Sequence, residues 1–113
     1  MSASSDSNAA ALEYSAIDAA KVVSPSSGPI ETGFVELGQT DRLKAGVWVH
    51  PVGVSTDVEV DEVFVVLEGR GRVLLKDGRV LELFPGVVGT LIAGEETTWE
   101  ITERLKKIWI VSK

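Results

Sequence analysis

The chain has 113 residues, of which 44% are hydrophobic and 25% charged, and it carries a formal net charge of −6 at neutral pH. This length fits one domain with a single core. The acidic balance argues against nucleic acid and against an anionic membrane as partners, because both attract basic surfaces. The sequence has no cysteine and one histidine, which excludes disulfides, thiolate metal sites and multi-histidine metal sites.

The first part of the chain, residues 1–29, predicts a flexible arm and linker. Residues 1–11 are rich in serine and alanine, a composition typical of disorder. Residues 12–23 fit one or two turns of helix or, equally, an extended arm along a partner, and residues 24–29 have the proline, serine and glycine of a linker. The chain has no apolar run of membrane-spanning length. A secretory signal begins with basic residues, and here no basic residue precedes Lys21. We therefore expect a cytoplasmic location.

Residues 30–113 predict one all-β domain. Short apolar runs are interrupted about every ten residues by glycine, proline or an Asp-Gly pair, which is typical of antiparallel strands joined by turns. The sharpest turn signal is Asp77-Gly78, which predicts a two-residue hairpin with Leu75 opposite Val80 and Leu74 opposite Leu81. Strands are predicted at 32–37, 43–50, 58–68, 71–76, 79–84, 88–92, 97–102 and 105–112.

The stretch from Asp57 to Gly71 is the centre of this domain. Its apolar run Val63–Leu67 predicts a strand buried on both faces, and Gly69-Arg70-Gly71 predicts the turn that ends it. Glu62 has the same parity as Val58, Val60, Phe64 and Val66, so its carboxylate is expected among apolar side chains. A glutamate in such surroundings needs a partner, a raised pKa or a ligand.

Several predicted strands carry apolar residues on both faces. In the run 105–112, Ile108 and Ile110 lie on one side, and Trp109 and Val111 on the other. A monomeric barrel needs only its inner face dry. The surplus therefore predicts a homodimer in which two copies pack sheet against sheet, with the N-terminal arm as a further contact.

A series of short motifs resembles a known family. Glu62 followed by Gly69 matches the second half of the first cupin motif, whose full form has a glycine, two histidines one residue apart, this glutamate and this glycine. Over residues 43–111 the order and spacing are similar to the small single-domain cupins related to ureidoglycine aminohydrolase. The resemblance implies an antiparallel β-barrel of jelly-roll type. The other matching pieces are Gly46-Val47-Trp48 with Gly53, Asp61-Glu62, Leu67-Glu68-Gly69, Asp77-Gly78, Phe84-Pro85-Gly86, and Thr98-Trp99-Glu100 with Lys107 and Ile110-Val111.

The same resemblance assigns Glu62 to the metal-binding carboxylate of the cupin pocket. The alternative is a glutamate at the barrel mouth that is hydrated or paired with an arginine. The expected histidine positions fall on Thr56 and Val58 or on Ser55 and Asp57, and, in the second motif, on Thr97. Because carboxylate and hydroxyl oxygens hold zinc, iron or nickel poorly, we predict no bound metal and no cofactor.

His50 is the second candidate for chemistry, after Glu62. Its ordinary pKa near neutrality would suit a general base if the ring faced the pocket with Glu62 or Asp57. The alternative is an exposed or hydrogen-bonded surface histidine. The tryptophans are expected in the core or an interface, with Trp99 as a possible floor of a ligand site. The predicted pocket is lined by Trp48, Asp57, Glu62, Phe64, Thr97 and Trp99.

Three functions remain open from the sequence. The first is a metal-independent small-molecule binding protein. The second, which follows from the resemblance, is an aminohydrolase-like or isomerase-like enzyme on a small polar nitrogen-containing or carbohydrate-like substrate, with Glu62 or His50 as acid–base. The third is an interaction protein whose barrel is filled by side chains. In the metal-free case, we expect Glu62→Gln to change stability modestly and Glu62→Leu to be tolerated or stabilising.

Overall fold

The computed structural model describes residues 4–23 and 30–113. Its strands form one antiparallel eight-stranded sheet that folds back on itself, which confirms the all-β prediction. No helix within these residues is long and apolar enough to cross a membrane. In chain order the elements are α1 (Tyr14–Asp18), β1 (Lys21–Val23), β2 (Glu31–Gln39), β3 (Leu43–His50), β4 (Gly53–Val58), β5 (Glu62–Leu75), β6 (Val80–Leu83), β7 (Val88–Leu91) and β8 (Glu96–Ser112).

The two long strands β5 and β8 pair with each other and belong to both halves of the barrel. The first part of β5 lies between β7 and the last part of β8, which pairs on its other side with β3. The second part of β5 lies between β6 and the first part of β8, which pairs on its other side with β4. The halves close over one core, where the Trp99 ring lies 5.2 Å from that of Trp48 and 5.8 Å from that of Phe64.

The prediction from the sequence wrongly divides each of the long strands β5 and β8 in two, and it wrongly places a turn at Gly69-Arg70-Gly71. These residues lie within β5, where the register against β8 shifts and the strand bends. Gly69 has a φ of +96°, and a Cβ on it would lie 2.2 Å from the carbonyl oxygen of Arg104 on β8. Glycine is therefore required for the bend and for the close approach of the two strands, and it does not end the strand.

The prediction also misses β4 and begins the central strand too early. The chain leaves the sheet after Val58 and re-enters it at Glu62, so the alternation of side chains does not continue across the connection. Val58 and Val60 are exposed, whereas Phe64 and Val66 are buried. The expectation that all four share a face with Glu62 is therefore wrong for the two residues that precede β5.

The hairpin after β5 has the predicted tip and a different register. Asp77 and Gly78 lie at the tip, but Leu74 pairs with Val80 and Val73 with Leu81. The amide of Leu75 donates to the carbonyl of Arg79 at 2.9 Å, which leaves a three-residue loop. Gly78, at a φ of +96°, is the left-handed residue that this kind of loop requires.

The N-terminal segment, residues 4–20, covers part of the outer face of the sheet. Ile17 of α1 is fully buried against Val47 and Val49 of β3. Lys106 on β8 donates to the carbonyl of Leu12 at 2.8 Å, and the Arg104 guanidinium lies 3.9 Å from the centre of the Tyr14 ring. Part of the apolar surplus that predicted a second copy is thus covered by the chain itself.

The apolar outer face beyond this segment stays open in the single chain. Val63 and Ile110 pair across β5 and β8 and are 41% and 37% exposed. The homodimer therefore remains a prediction for this remaining face. The predicted linker at 24–29 lies outside the described residues, and the domain boundary at residue 30 likewise remains a prediction.

Candidate functional site

A cavity of about 270 Å³ lies against the inner faces of β2, β3, β4, β5 and β8. It combines an aromatic wall with charges of both signs. Its aromatic side chains are Phe34, Trp48, Trp99 and Trp109, its charged side chains are Lys44, Asp57, Glu59, Glu62 and Lys107, and Thr32, Ser55 and Val111 complete the lining.

The strand register explains why these side chains converge. On β8, Lys107 lies opposite Trp48 of β3 and opposite Val66 of β5. Four residues further along, Val111 lies opposite Lys44 on one side and Glu62 on the other. Since side chains alternate across a strand, these positions all project from the same face.

The centre of the site is an ion pair between Lys107 and Glu62. The Lys107 Nζ donates to Glu62 Oε2 at 2.5 Å, and the two side chains are 5% and 13% exposed. The ammonium also lies 4.6 Å, 4.7 Å and 4.6 Å from the ring centres of Trp48, Phe64 and Trp99. Rings at this distance attract a cation through their electron-rich faces, and the attraction strengthens where water is excluded.

The site role of Lys107 was not predicted from the sequence, although a usable signal was present. A lysine two residues before Trp109 has the inward parity of that tryptophan. A charged side chain at an inward position of a core strand needs a partner of opposite charge, and Glu62 was already expected to need one. The charged partner of Glu62 is this lysine and not the arginine of the alternative interpretation.

Glu59 is the buried carboxyl group of the cavity, and the sequence did not single it out. It is 8% exposed, and its Oε2 accepts hydrogen bonds from Thr97 Oγ1 at 2.7 Å and from Trp99 Nε1 at 3.2 Å. Burial raises the pKa of Glu59, and the Thr97 hydroxyl and the Lys107 charge oppose that rise. The carboxyl with a raised pKa is therefore three residues before the one that strand parity indicated.

Replacing Glu59 by glutamine should stabilise the protein relative to wild type as the pH rises. The folded-state pKa of Glu59 lies above its ordinary value of 4.5, so the wild type bears the cost of a buried charge above that folded pKa and not below 4.5. A glutamine carbonyl can accept the same two hydrogen bonds without a charge. Thermal melts of both proteins from pH 4 upward measure the difference. Parallel curves, such as we expect for the exposed control Glu36→Gln, would contradict this assignment.

His50 is buried and makes two hydrogen bonds that use both ring nitrogens. Its Nδ1 lies 2.6 Å from the carbonyl oxygen of Pro51, and its Nε2 lies 2.7 Å from the hydroxyl of Ser55. A carbonyl only accepts, so Nδ1 carries the proton and Nε2 accepts from Ser55. Burial lowers the pKa of His50; the Pro51 hydrogen bond raises it and the charge of Lys107 lowers it further. The histidine pairs with neither Glu62 nor Asp57.

The predicted pocket residues fall into two groups. Trp48, Asp57, Glu62 and Trp99 line the cavity. Phe64 and Thr97 lie behind this lining, where Phe64 packs under the Lys107 ammonium and Thr97 donates to Glu59. The lining residues that were not among the predicted pocket residues are Thr32, Phe34, Lys44, Ser55, Glu59, Lys107, Trp109 and Val111.

The donor set does not fit the transition metal that the cupin motif implies. Glu62, the expected ligand, is bonded to an ammonium group, and the positions of the missing histidines carry Ser55, Thr56, Asp57, Val58 and Thr97. Ser55 and Thr97 already bond to His50 and Glu59. Within residues 4–23 and 30–113, no three His, Cys, Asp or Glu side chains are grouped as metal ligands.

Comparisons with solved structures support the fold. The chain superposes on the Clostridium difficile EutQ protein with a TM-score of 0.71 and 14% identity, covering 84% of this chain and 77% of that one. It matches a putative ethanolamine utilization protein Q from Salmonella typhimurium with a TM-score of 0.64 and 18% identity, over 75% and 72% of the two chains. A protein of unknown function from Rhizobium leguminosarum matches with a TM-score of 0.63 and 26% identity, over 70% and 78%.

The family assignment comes from the sequence. A comparison with curated protein sequences gave no match. The sequence model of the EutQ-like cupin domain matches residues 37–109, which is more than half of the chain. The expected cupin superfamily is thus confirmed, while the closer likeness to ureidoglycine aminohydrolase stays a prediction. The chain belongs to the EutQ-like cupin domain family.

Proposed function

We propose that this protein binds a small organic anion in its cavity, without a transition metal, and that Lys107 supplies the positive charge that the ligand meets. The observation that carries the proposal is the position of the Lys107 ammonium. It lies among Trp48, Phe64 and Trp99 and is bonded to Glu62, the carboxylate that the cupin motif would give to a metal. The carboxylate that would bind a metal ion in the cupin motif is thus bonded to a lysine of the protein itself.

The Lys107 ammonium can bond to a ligand while it stays bonded to Glu62. An ammonium group has three N–H donors, and Glu62 accepts one of them. A carboxylate oxygen of a bound ligand can accept a second N–H of this group, and the resulting hydrogen bond is strong because both partners are charged. The aromatic rings of Trp48 and Trp109 offer an apolar wall for the rest of the ligand. At about 270 Å³, the cavity is at the small end of ligand pockets, which favours short carboxylates.

The cavity also bears on the two alternative functions. A protein that acts only through its outer surface has no need of an open space beside a buried ion pair, so the cavity favours a ligand. The enzyme alternative, with a small polar nitrogen-containing or carbohydrate-like substrate, rests on the resemblance to the aminohydrolase group. A ligand with a free amine, such as ethanolamine in the name of the Salmonella relative, would bring a second cation toward Lys107. We therefore favour an anion.

Titration with short carboxylates tests this proposal. Acetate, propionate and butyrate should change the tryptophan fluorescence with saturation, since Trp48, Trp99 and Trp109 line the cavity, and ethanolamine should not. Lys107→Met should weaken carboxylate binding by about a hundredfold, the loss expected for one charge-assisted hydrogen bond of about 3 kcal/mol. The control Lys113→Met lies at the chain end and should bind as wild type does.

Three outcomes would contradict the proposal. The first is binding of ethanolamine in preference to the carboxylates. The second is carboxylate binding that is the same with and without Lys107. The third is a stoichiometric transition metal in elemental analysis of the purified protein, together with loss of that metal in Glu62→Gln. This third result would identify Glu62 as a metal ligand and favour the enzyme alternative.

A further inference from the structure

The wall of the cavity contains a serine whose hydroxyl is bonded to a buried histidine. Ser55 on β4 lines the cavity, and its Oγ lies 2.7 Å from Nε2 of His50 at the end of β3. We infer that Ser55 and His50 form a nucleophile–base pair that cleaves small esters entering this cavity. This inference rests on the proposed function in one respect only, that the cavity admits small organic molecules.

The orientation of His50 is the one that such a pair requires. A serine hydroxyl becomes a nucleophile when an unprotonated nitrogen accepts its proton, and a third group usually fixes the tautomer of the base. Here the carbonyl oxygen of Pro51, 2.6 Å from Nδ1, holds the proton on that nitrogen and leaves Nε2 free to accept. The Trp48 ring packs against the imidazole at 5.3 Å with the planes 63° apart, which restricts rotation of the ring.

The charge state of the base also suits this role. Burial lowers the pKa of His50 below its ordinary value of 6.5, so the imidazole is neutral at neutral pH. A neutral imidazole can take the serine proton, whereas an imidazolium cannot.

Lys107 supplies the remaining element, a positive charge in the same cavity. Lys107 and Ser55 both line the cavity, and the Lys107 charge contributes to lowering the pKa of His50. A fixed cation stabilises the negative oxygen that develops when a hydroxyl attacks a carbonyl. The carboxylate released by ester cleavage is also the kind of anion that we propose binds Lys107.

The reaction needs only water as a co-reactant. Ser55 Oγ attacks the carbonyl carbon of the ester while its proton moves to His50 Nε2. The bond between that carbon and the alcohol oxygen then breaks, and the alcohol leaves with the proton from Nε2. A water molecule attacks the acyl group in turn, gives one proton to Nε2 and displaces Ser55 Oγ, which recovers the proton as the carboxylic acid departs.

Covalent labelling distinguishes this pair from a structural hydrogen bond. The protein is treated with diisopropyl fluorophosphate and, separately, with p-nitrophenyl acetate, and the modified residue is located by peptide mass spectrometry. We expect one adduct on Ser55 and a burst of about one equivalent of p-nitrophenolate. Ser55→Ala should abolish both, while Ser112→Ala, a serine at the end of β8, should leave them unchanged. His50→Gln should slow labelling at least about a hundredfold, the usual share of a general base.

The pH profile of wild-type labelling keeps the test decisive if His50→Gln fails to fold. Labelling should fall as the pH drops through a single pKa below 6.5, since protonation of Nε2 removes the base. No adduct on Ser55, an adduct confined to Lys107 or surface lysines, or labelling that does not depend on this titration would overturn the inference. Carboxylate binding without Ser55 labelling would leave the proposed function intact and remove this one. Ser55 labelling without carboxylate binding would support this inference and contradict the proposed function.

Discussion

Lys107→Ala should lower the free energy of unfolding by about 3–5 kcal/mol, the usual effect of removing one partner of a buried ion pair. The Glu62 side chain, 13% exposed, would lose the ammonium to which it is bonded. The contacts between the ammonium and these rings would be lost as well. Urea unfolding followed by far-UV circular dichroism measures the change without relying on tryptophans that line the altered site.

The same variant should be rescued by small amines. The space left by the Lys107 side chain keeps its aromatic walls and the Glu62 carboxylate, so methylamine or ethanolamine can supply the missing ammonium. A ligand that binds only the folded state stabilises it in proportion to the logarithm of its concentration. We therefore expect the midpoint of Lys107→Ala to rise with amine concentration and that of the wild type to stay constant. Acetate should have no such effect on the variant.

A matched double variant separates the charge from the packing. Lys107→Met with Glu62→Leu removes both charges and keeps apolar volume, so it should recover most of the loss. Glu62→Gln alone should cost more than the modest change expected from the sequence, because it leaves the buried ammonium of Lys107 without its carboxylate. If Lys107→Ala cost less than about 1 kcal/mol, the pair would be as weak as an exposed salt bridge, which would contradict its description as a buried ion pair.

The all-β fold was predictable because the residues that mark its turns and strands form short local patterns in the sequence. The Asp77-Gly78 tip and the short apolar runs indicate antiparallel strands from the residues alone. The continuity of β5 and of β8 was not predictable from the sequence, because it depends on a contact between strands that are distant in sequence. Gly69 signals a positive φ, but only its closeness to Arg104 shows that the chain bends there and continues. A glycine that ends a strand and a glycine that bends one look alike in a sequence.

The candidate site was predictable to the extent that strand parity holds. Glu62, Trp48 and Trp99, which were predicted as pocket residues, line the cavity, and each lies on a regular stretch of strand. Glu59 was missed because it lies in the connection between β4 and β5, where alternation says nothing about direction. Ser55 was missed as a partner of His50 because β4 itself was not recognised, so nothing placed its hydroxyl opposite the end of β3.

Replacing Ile17 by aspartate should release the N-terminal segment and cause the protein to self-associate. Ile17 is fully buried against Val47 and Val49, and a carboxylate there would lose its water without gaining a partner. Loss of the isoleucine alone costs about 2–5 kcal/mol. The chain can limit this cost by detaching residues 4–20 and leaving the barrel folded, but Val47 and Val49 then face water. They would extend the exposed apolar surface already present at Val63 and Ile110.

Sedimentation velocity over a range of concentrations measures this association, and the position of the substitution provides its control. Val22→Asp adds the same charge to β1, directly after this segment, at a side chain that is already exposed, so it should sediment as wild type does. Ile17→Asp should sediment faster as concentration rises, with a lower melting temperature. If both variants matched the wild type in size, the N-terminal segment would not be what keeps the outer face of β3 from associating. The homodimer predicted from the two-faced strands would then have to form through Val63 and Ile110 alone, and a charge at Val63 in the wild-type background would be the change that disrupts it.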